Sequence, residues 1–155
     1  MNREERAVSL FNGTFNCAQS VLSVFADVLE IDDQTLVKLA SGFGGGMGRQ
    51  QRTCGAVTGA YMVLGAIFSN ITPDGWEQEA VYGVVNDVSE RFRSEFGTVI
   101  CRDLLDGADL KTEKGQNRFR EEDLRTRVCA RSIRRTVCMV EDILAQQGIG
   151  ARRSG

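Results

Sequence analysis

Apolar residues recur along this chain at steps of three and four, and strict alternation is scarce, so the pattern predicts helices almost throughout. A first helix is expected over Arg3–Phe11, stopped by Asn12-Gly13. A second covers Asn16–Leu29, with Cys17, Val21, Val24 and Val28 in one stripe. A third begins at Asp32 or Asp33 as N-cap and puts Leu36, Leu39 and Ala40 on one face. A fourth runs from Thr53/Cys54 to just before Asn70. Thr72-Pro73-Asp74-Gly75 holds the only proline and reads as a turn. After it, a long helix over Trp76–Phe96 would bury Trp76, Val81, Val84, Val85, Val88 and Phe92. A short helix is expected over Thr98–Leu105 and a surface loop over Asp106–Gly115. A last helix covers Glu121–Gln146, its stripe being Cys129, Ile133, Val137, Val140 and Leu144. The expected fold is all-α: a single compact helical bundle of about six to seven helices, with a Gly-rich loop before the Cys54 helix. One domain would span residues 1–155, its core lying over about 3–146 and a frayed tail over 147–155.

Composition agrees with a globular chain. At 155 residues, 42% hydrophobic and 26% charged, it can bury about 68–70% of its unfolded surface in one core. A net charge of -2 gives no global attraction to nucleic acid or anionic membrane. No stretch reaches the roughly 18 apolar residues of a membrane span, and Ala56–Phe68 comes nearest. The opening MNREERAVSLFNG mixes acids with arginines and lacks the apolar run of a secretory signal, so a cytoplasmic protein is expected.

Histidine is absent, which removes Ser-His-Asp and Cys-His nucleophile pairs, histidine-ligated haem, HExxH zinc and carboxylate–histidine di-iron sites. Five cysteines remain: Cys17, Cys54, Cys101, Cys129 and Cys138. They are the only soft ligands and the strongest nucleophiles in the chain, so metal or redox chemistry must pass through sulfur. Their separations of 37, 47, 28 and 9 residues exclude CxxC ribbons and close-spaced cluster runs. A shared site would have to be assembled from separate helices. Core filling is the competing reading of each, since free cysteine is among the most buried residue types.

Cys54 departs from that reading. With Thr53 as N-cap it would occupy a first helical position, where free N–H groups favour negative charge and can lower a thiol pKa to about 3.5–7.5. Arg49 and Arg52 stand just upstream to reinforce this, and Cys17 after Asn16 is placed likewise. The five glycines at positions 42, 44, 45, 46 and 48 fit neither GxxxxGK[ST] nor GxGxxG, so nucleotide binding is disfavoured. They can instead supply positive φ angles and aim successive N–H groups into an anion-binding nest. Gly55 and Gly59, four apart, would let another helix or a bulky inorganic group approach closely, within the chain or across a homodimer.

Several pieces together carry a resemblance: Asn16-Cys17-Ala18-Gln19-Ser20-Val21, the loop GFGGGMGR, CGAVTG at 54–59, Cys101-Arg102-Asp103-Leu104-Leu105, and Cys129 ahead of an amphipathic helix. Over roughly residues 5–145 the chain resembles the redox-active protein family named for its Cys…Cys-Gly-Ala-x-x-Gly…Cys…Cys pattern. The resemblance implies a helical redox protein, and an iron–sulfur or similar prosthetic group. It also implies that Cys17, Cys54, Cys101 and Cys129 are the four motif cysteines. Cys138 is additional. Nine residues along a regular helix place it about 180° from Cys129, so it is expected to be structural or interfacial.

The leading expectation is therefore an electron-transfer protein whose four cysteines are both the redox-active set and the ligands of one iron–sulfur centre. Gly44, Gly45, Gly46, Gly48 and Gly55 would line it with backbone donors, and Arg49 would offset its charge. Metal-free thiol–disulfide exchange led by Cys54 is the alternative, and a partner-binding module without chemistry is a third. A redox protein or oxidoreductase is the expected partner. The arginines of the last helix (125, 127, 131, 134 and 135, with 118 and 120 before it) are bracketed by acids, which favours a solvated or protein-docking face over nucleic acid. Asp103 and Asp106 are expected to cap or neutralise Arg102 rather than form an acid–base pair.

Overall fold

Two asparagines set the first helices. Helix α1 (Arg3–Asn12) starts at Asn2, whose side chain accepts from the Glu5 N–H at 2.8 Å while Glu5 reaches back to the Asn2 N–H. Helix α2 (Cys17–Ser23) repeats the device with Asn16 and Gln19, both bonds at 2.9 Å. Each box satisfies two backbone groups that a helix start leaves open. The structure, a computed structural model, describes residues 1–149.

The helix expected over Asn16–Leu29 is interrupted. After α2 the backbone turns at Val24 and Phe25, and α3 (Ala26–Leu29) ends at Glu30, whose φ is 56°. Val24 and Phe25 are both buried, and the break lets these consecutive side chains enter the core together. Helix α4 (Asp33–Ala40) is capped by Asp32, which accepts from the Thr35 N–H at 2.9 Å. Leu36 and Ala40 are buried, but Leu39 is 59% exposed and belongs to the outer face, contrary to expectation.

A 3-10 turn (Ser41–Phe43) leads into α5 (Gly44–Met47), a helix in name only. Gly45, Gly46, Met47, Gly48 and Arg49 all have φ between 64° and 67°. Instead of an open loop, the chain winds through a left-handed turn closed by Gly48 N–H to Gly44 O at 2.9 Å and Gln51 N–H to Gly45 O at 3.1 Å. Only glycine adopts this region freely, and Met47 and Arg49 each carry a cost of about 1–2 kcal/mol there.

Helix α6 (Gly55–Phe68) runs through the centre, apolar on nearly every side, and packs against α2 and against α7 (Gln78–Phe96) and α10 (Arg131–Gln146). Between α6 and α7 lies a hairpin that the helical reading missed, β1 (Asn70–Thr72) against β2 (Gly75–Glu77), with Ile71 opposite Trp76. The expected turn is there, but its reversal sends Gly75–Glu77 back along Asn70–Thr72 before α7 can start. Trp76 is consequently on the surface, 51% exposed, rather than inside.

The last third also differs. The short helix α8 is Cys101–Leu104, and α9 (Glu113–Glu121) begins inside the expected loop, with Thr112 accepting from the Gly115 N–H at 3.0 Å. Asp123, at φ 50°, ends that stretch, and a π-helical turn (Arg125–Ala130) follows before α10. The single helix expected over Glu121–Gln146 is therefore two unlike pieces. Residues 147–149 close the helix: Gly148 N–H bonds Ala145 O at 3.0 Å and Ile149 N–H bonds Leu144 O at 2.9 Å, with Gly148 left-handed, a glycine-terminated helix stop. The rest of the expected tail, 150–155, lies outside the described residues.

The main core joins α1, α2, α4, α6, α7 and α10, while Cys101, Leu105, Ala108 and Leu124 form a small separate cluster. Cys129 packs against both. Among the described residues no helix is long and apolar enough to cross a membrane.

Candidate redox site

The segment leaving the left-handed turn does not go straight into α6. Residues 51–54 first pair antiparallel with 99–102: Cys54 N–H to Val99 O at 2.7 Å, Cys101 N–H to Arg52 O at 2.6 Å, and Arg102 N–H to Gln51 O at 3.2 Å. Thr53 and Ile100 form the bridge between them. This short ladder brings together Cys54 and Cys101, 47 residues apart in sequence. Cys17 is the first residue of α2, and Cys129 sits in the π turn. All four side chains line one cavity of about 850 Å³. Gly44, Gly45, Gly48, Arg49 and Gly55 line it as well.

Gly46 is buried behind it, where a Cβ would stand 2.8 Å from the Cβ of Cys101. The tightest approach is at Gly55, whose added Cβ would lie 2.2 Å from the Cys17 sulfur and 3.0 Å from Phe43 O. One helical turn on, a Cβ at Gly59 would meet Ala18 O and Val21, each at 3.0 Å. The close contact that these two glycines permit is thus made inside the chain, between α6 and α2.

Electrostatics reverse one expectation. Cys54 is itself the N-cap of α6, with Thr53 in the ladder, and it makes no capping bond through its side chain. Burial pushes its thiol well above the ordinary value, and the nearby Cys17, Cys129 and Cys101 sulfurs push it further, outweighing the N–H of Ala56. Desolvation exceeds the helix-end effect here because the thiol is enclosed and its nearest ionisable neighbours are other sulfurs. Cys101 and Cys129 are each pushed up to about 12, first by burial and then by Cys17, with Cys101 adding to the effect on Cys129 and Arg125 opposing it. Cys17 is raised by burial too, but the N–H groups of Gly45, Ala18, Cys17 and Gly55 act in the other direction. Two of these donors come from the glycine turn and the CGA segment, so the glycines stabilise charge on sulfur at Cys17.

Cys138 is absent from the cavity lining. It faces Glu4 of α1, and burial together with that carboxylate pushes its thiol up to about 11. Cys129 lies within the π turn and Cys138 in the regular helix α10, so the two are carried by unlike pieces of chain.

Several contributors were not anticipated. Gln51, 2% exposed, donates to Ala108 O at 2.7 Å and accepts from Leu110 N–H at 2.8 Å, fastening the far wall. Asn16 fits against Gly44, where a Cβ would stand 2.6 Å from its own Cβ, and donates to Ser41 O at 3.1 Å. The Asn16-x-x-Gln19 box was a visible signal for the second; nothing local marks the first. Arg120 and Arg125 are exposed and also line the cavity, and Arg125 stacks on Phe11 with its guanidinium 4.0 Å from the ring centre while donating to Phe11 O. Arg118 pairs with Asp106 and Glu122, and Arg135 with Glu95. Arg102 pairs with Asp109, not with Asp103 or Asp106, because its side chain reaches along the 107–109 backbone.

With this geometry in view, the comparison with known families is direct. The family described as "Putative redox-active protein (C_GCAxxG_C_C)" matches residues 15–143. The chain belongs to this family. Its name writes the central element Gly-Cys-Ala, where the chain has Cys54-Gly55-Ala56 followed by Val57-Thr58-Gly59. Four cysteines appear in that name and five in the matched span; the four that the fold gathers are Cys17, Cys54, Cys101 and Cys129. No curated protein and no solved structure matches the chain.

All five cysteines are free thiols. Among the described residues, no three Cys, Asp or Glu side chains stand close enough to hold a single metal ion. A tetrahedral ion with metal–sulfur bonds of about 2.3 Å needs its sulfurs roughly 3.8 Å apart, so a one-metal zinc site does not fit. Iron–sulfur centres are held by cysteine thiolates, and the four thiols that line one cavity are donors of that type.

Proposed function

We propose that this redox-active protein binds a polynuclear iron–sulfur centre through Cys17, Cys54, Cys101 and Cys129 and uses it for electron transfer. The observation that carries this reading is the convergence of four thiols, from four separate segments, on one cavity. When bound, such a centre supplies one-electron transfer at a potential set by charge, hydrogen bonds and solvent access. The chain's own part is to hold and tune it. Burial and mutual repulsion make four uncompensated thiolates costly, so the site favours a cationic group that neutralises them. Gly55 leaves room beside Cys17, and the Gly45 and Gly55 N–H groups offset charge on its sulfur. Arg49 and Arg125 add positive charge at the wall. A redox partner protein or oxidoreductase would exchange the electron, and a reducing, cytoplasmic setting accords with five free thiols.

Anaerobic reconstitution with iron and sulfide should give visible sulfur-to-iron absorption that Cys54→Ser abolishes. A wild-type protein that takes up no iron under those conditions ends this reading. The second reading, metal-free disulfide exchange, is favoured by one feature: the 51–54 and 99–102 ladder that sets Cys54 beside Cys101. Mild oxidation followed by peptide mapping would then yield a Cys54–Cys101 disulfide, reversible with a thiol reductant.

A further inference from the structure

The cavity is larger and differently lined than four thiols require. Its inner end is formed by the buried Cys54 and Cys101, while Arg49, Arg120 and Arg125 line it from exposed positions and mark the side open to solvent. An inorganic core built on metal–sulfur bonds of about 2.3 Å fills only a minor part of about 850 Å³. The whole volume lies in the 300–1,000 Å³ range of small-molecule sites.

Charge at the cavity is one-sided. The chain has 21 acidic residues against 19 basic ones, yet among the described residues none of the acids lines the cavity and three arginines do. Arg118, Arg131 and Arg135 nearby are neutralised by Asp106, Glu122 and Glu95. Among the described residues the cavity arginines have no carboxylate partner: Arg120 bonds the neutral Asn117, Arg125 a backbone carbonyl, and Arg49 forms no ion pair. Arg49 is also held in a left-handed conformation, its stem against Gly45, where a Cβ would lie 3.0 Å away. Phe11, Leu110 and Phe119 supply apolar wall in the same cavity, with the Arg125 guanidinium over the Phe11 ring. Unpaired guanidinium groups over an apolar floor recognise an anionic head carried on an apolar body.

We propose that the outer half of this cavity binds a small organic anion, a carboxylate or phosphate head with an apolar or aromatic body, beside the four-thiol centre. This names a substrate class for the site and rests on the redox reading only for what the bound molecule is used for. The recognition itself requires the arginines, not a metal.

Calorimetric titration of the full chain tests it, with phenyl phosphate and benzoate as probes and neutral benzyl alcohol as control. At least one anion should bind saturably at one site, and benzyl alcohol should not. Arg49→Asn, which keeps a residue tolerant of positive φ, and Arg120→Gln should each weaken binding about tenfold or more, while Arg118→Gln leaves it unchanged. Equal binding of benzyl alcohol, absence of saturable anion binding, or equal affinity in the Arg49 and Arg120 variants would overturn the proposal. Iron content measured on the same samples separates the two readings. Iron uptake without anion binding defeats this inference alone, and anion binding in protein that never takes up iron defeats the iron–sulfur assignment alone.

Discussion

Helix α6 has two ends that differ in nearly every respect. At its start, Cys54 is buried, and Gly55 and Gly59 are pressed against α2 so tightly that a methyl group finds no space. At its far end the chain leaves through Gly65 and Phe68 into a hairpin carrying Ile71 at 80% and Trp76 at 51% exposure. A Cβ at Gly65 or Gly75 would meet nothing within 4 Å, although Gly75 holds a φ of 133°. The same small residue is therefore a packing requirement at one end and a weak point of the helix at the other. Glycine content alone does not mark a site; what stands opposite the missing side chain does.

The largest contrast should appear in alkali, using reduced, metal-free protein. The thiols at the α6 start have folded-state pKa values raised above 9.0, to about 12 for Cys101 and Cys129. Folding therefore holds their protons more tightly than the unfolded chain does. The stability they contribute is complete below about pH 9 and is lost as pH climbs from 9 towards 12. Denaturant midpoints should fall steeply over that window, and Cys101→Ala or Cys129→Ala should flatten the fall. A midpoint indifferent to pH up to 11 would contradict the buried-thiol account.

Next in size is Gly55→Ala, whose methyl overlaps the Cys17 sulfur; a loss of about 1–3 kcal/mol is expected, visible as a lower Tm, together with impaired iron uptake. Gly65→Ala should go the other way, gaining up to about 1 kcal/mol from helix propensity, since its Cβ meets open space. If both substitutions shift Tm in the same direction, the contrast between the two ends fails. The smallest effect is expected for Trp76→Ala on the hairpin, within about 0.5 kcal/mol of wild type and without change in iron uptake.

Legibility followed the range of the interactions involved. The starts of α1, α2 and α4 depend on Asn2, Asn16 and Asp32 bonding residues three positions ahead, and such local devices can be read from the string. The Pro73-Asp74 reversal was equally visible, but whether a strand or a helix follows it depends on pairing with Asn70–Thr72, so Trp76 was assigned to the wrong environment. The break at Val24-Phe25 and the π turn at Arg125–Ala130 have no proline or glycine to announce them. The first lets the consecutive Val24 and Phe25 side chains both enter the core, which a regular helix would not allow. For the site, the family pattern singled out cysteines, glycines and Arg49, yet it gave no hint of Gln51, Arg120 or Arg125. Gln51 bonds Ala108 and Leu110, and Arg125 bonds Phe11, all partners more than 50 positions away.

The chain by itself determined the chemistry available: no imidazole, five thiols, a glycine-rich turn able to adopt positive φ, and helices nearly everywhere, because residue types and short-range periodicity are properties of the string. Tertiary structure alone decided which four sulfurs share a cavity, that Cys54 is desolvated rather than activated, and that guanidinium groups, with no carboxylate among the described residues, line the cavity mouth. Those outcomes depend on the ladder between 51–54 and 99–102 and on the fit of Gly55 against Cys17, contacts between segments that meet only after the chain has folded. Desolvation is a property of the assembled neighbourhood, so no single residue carries it in advance.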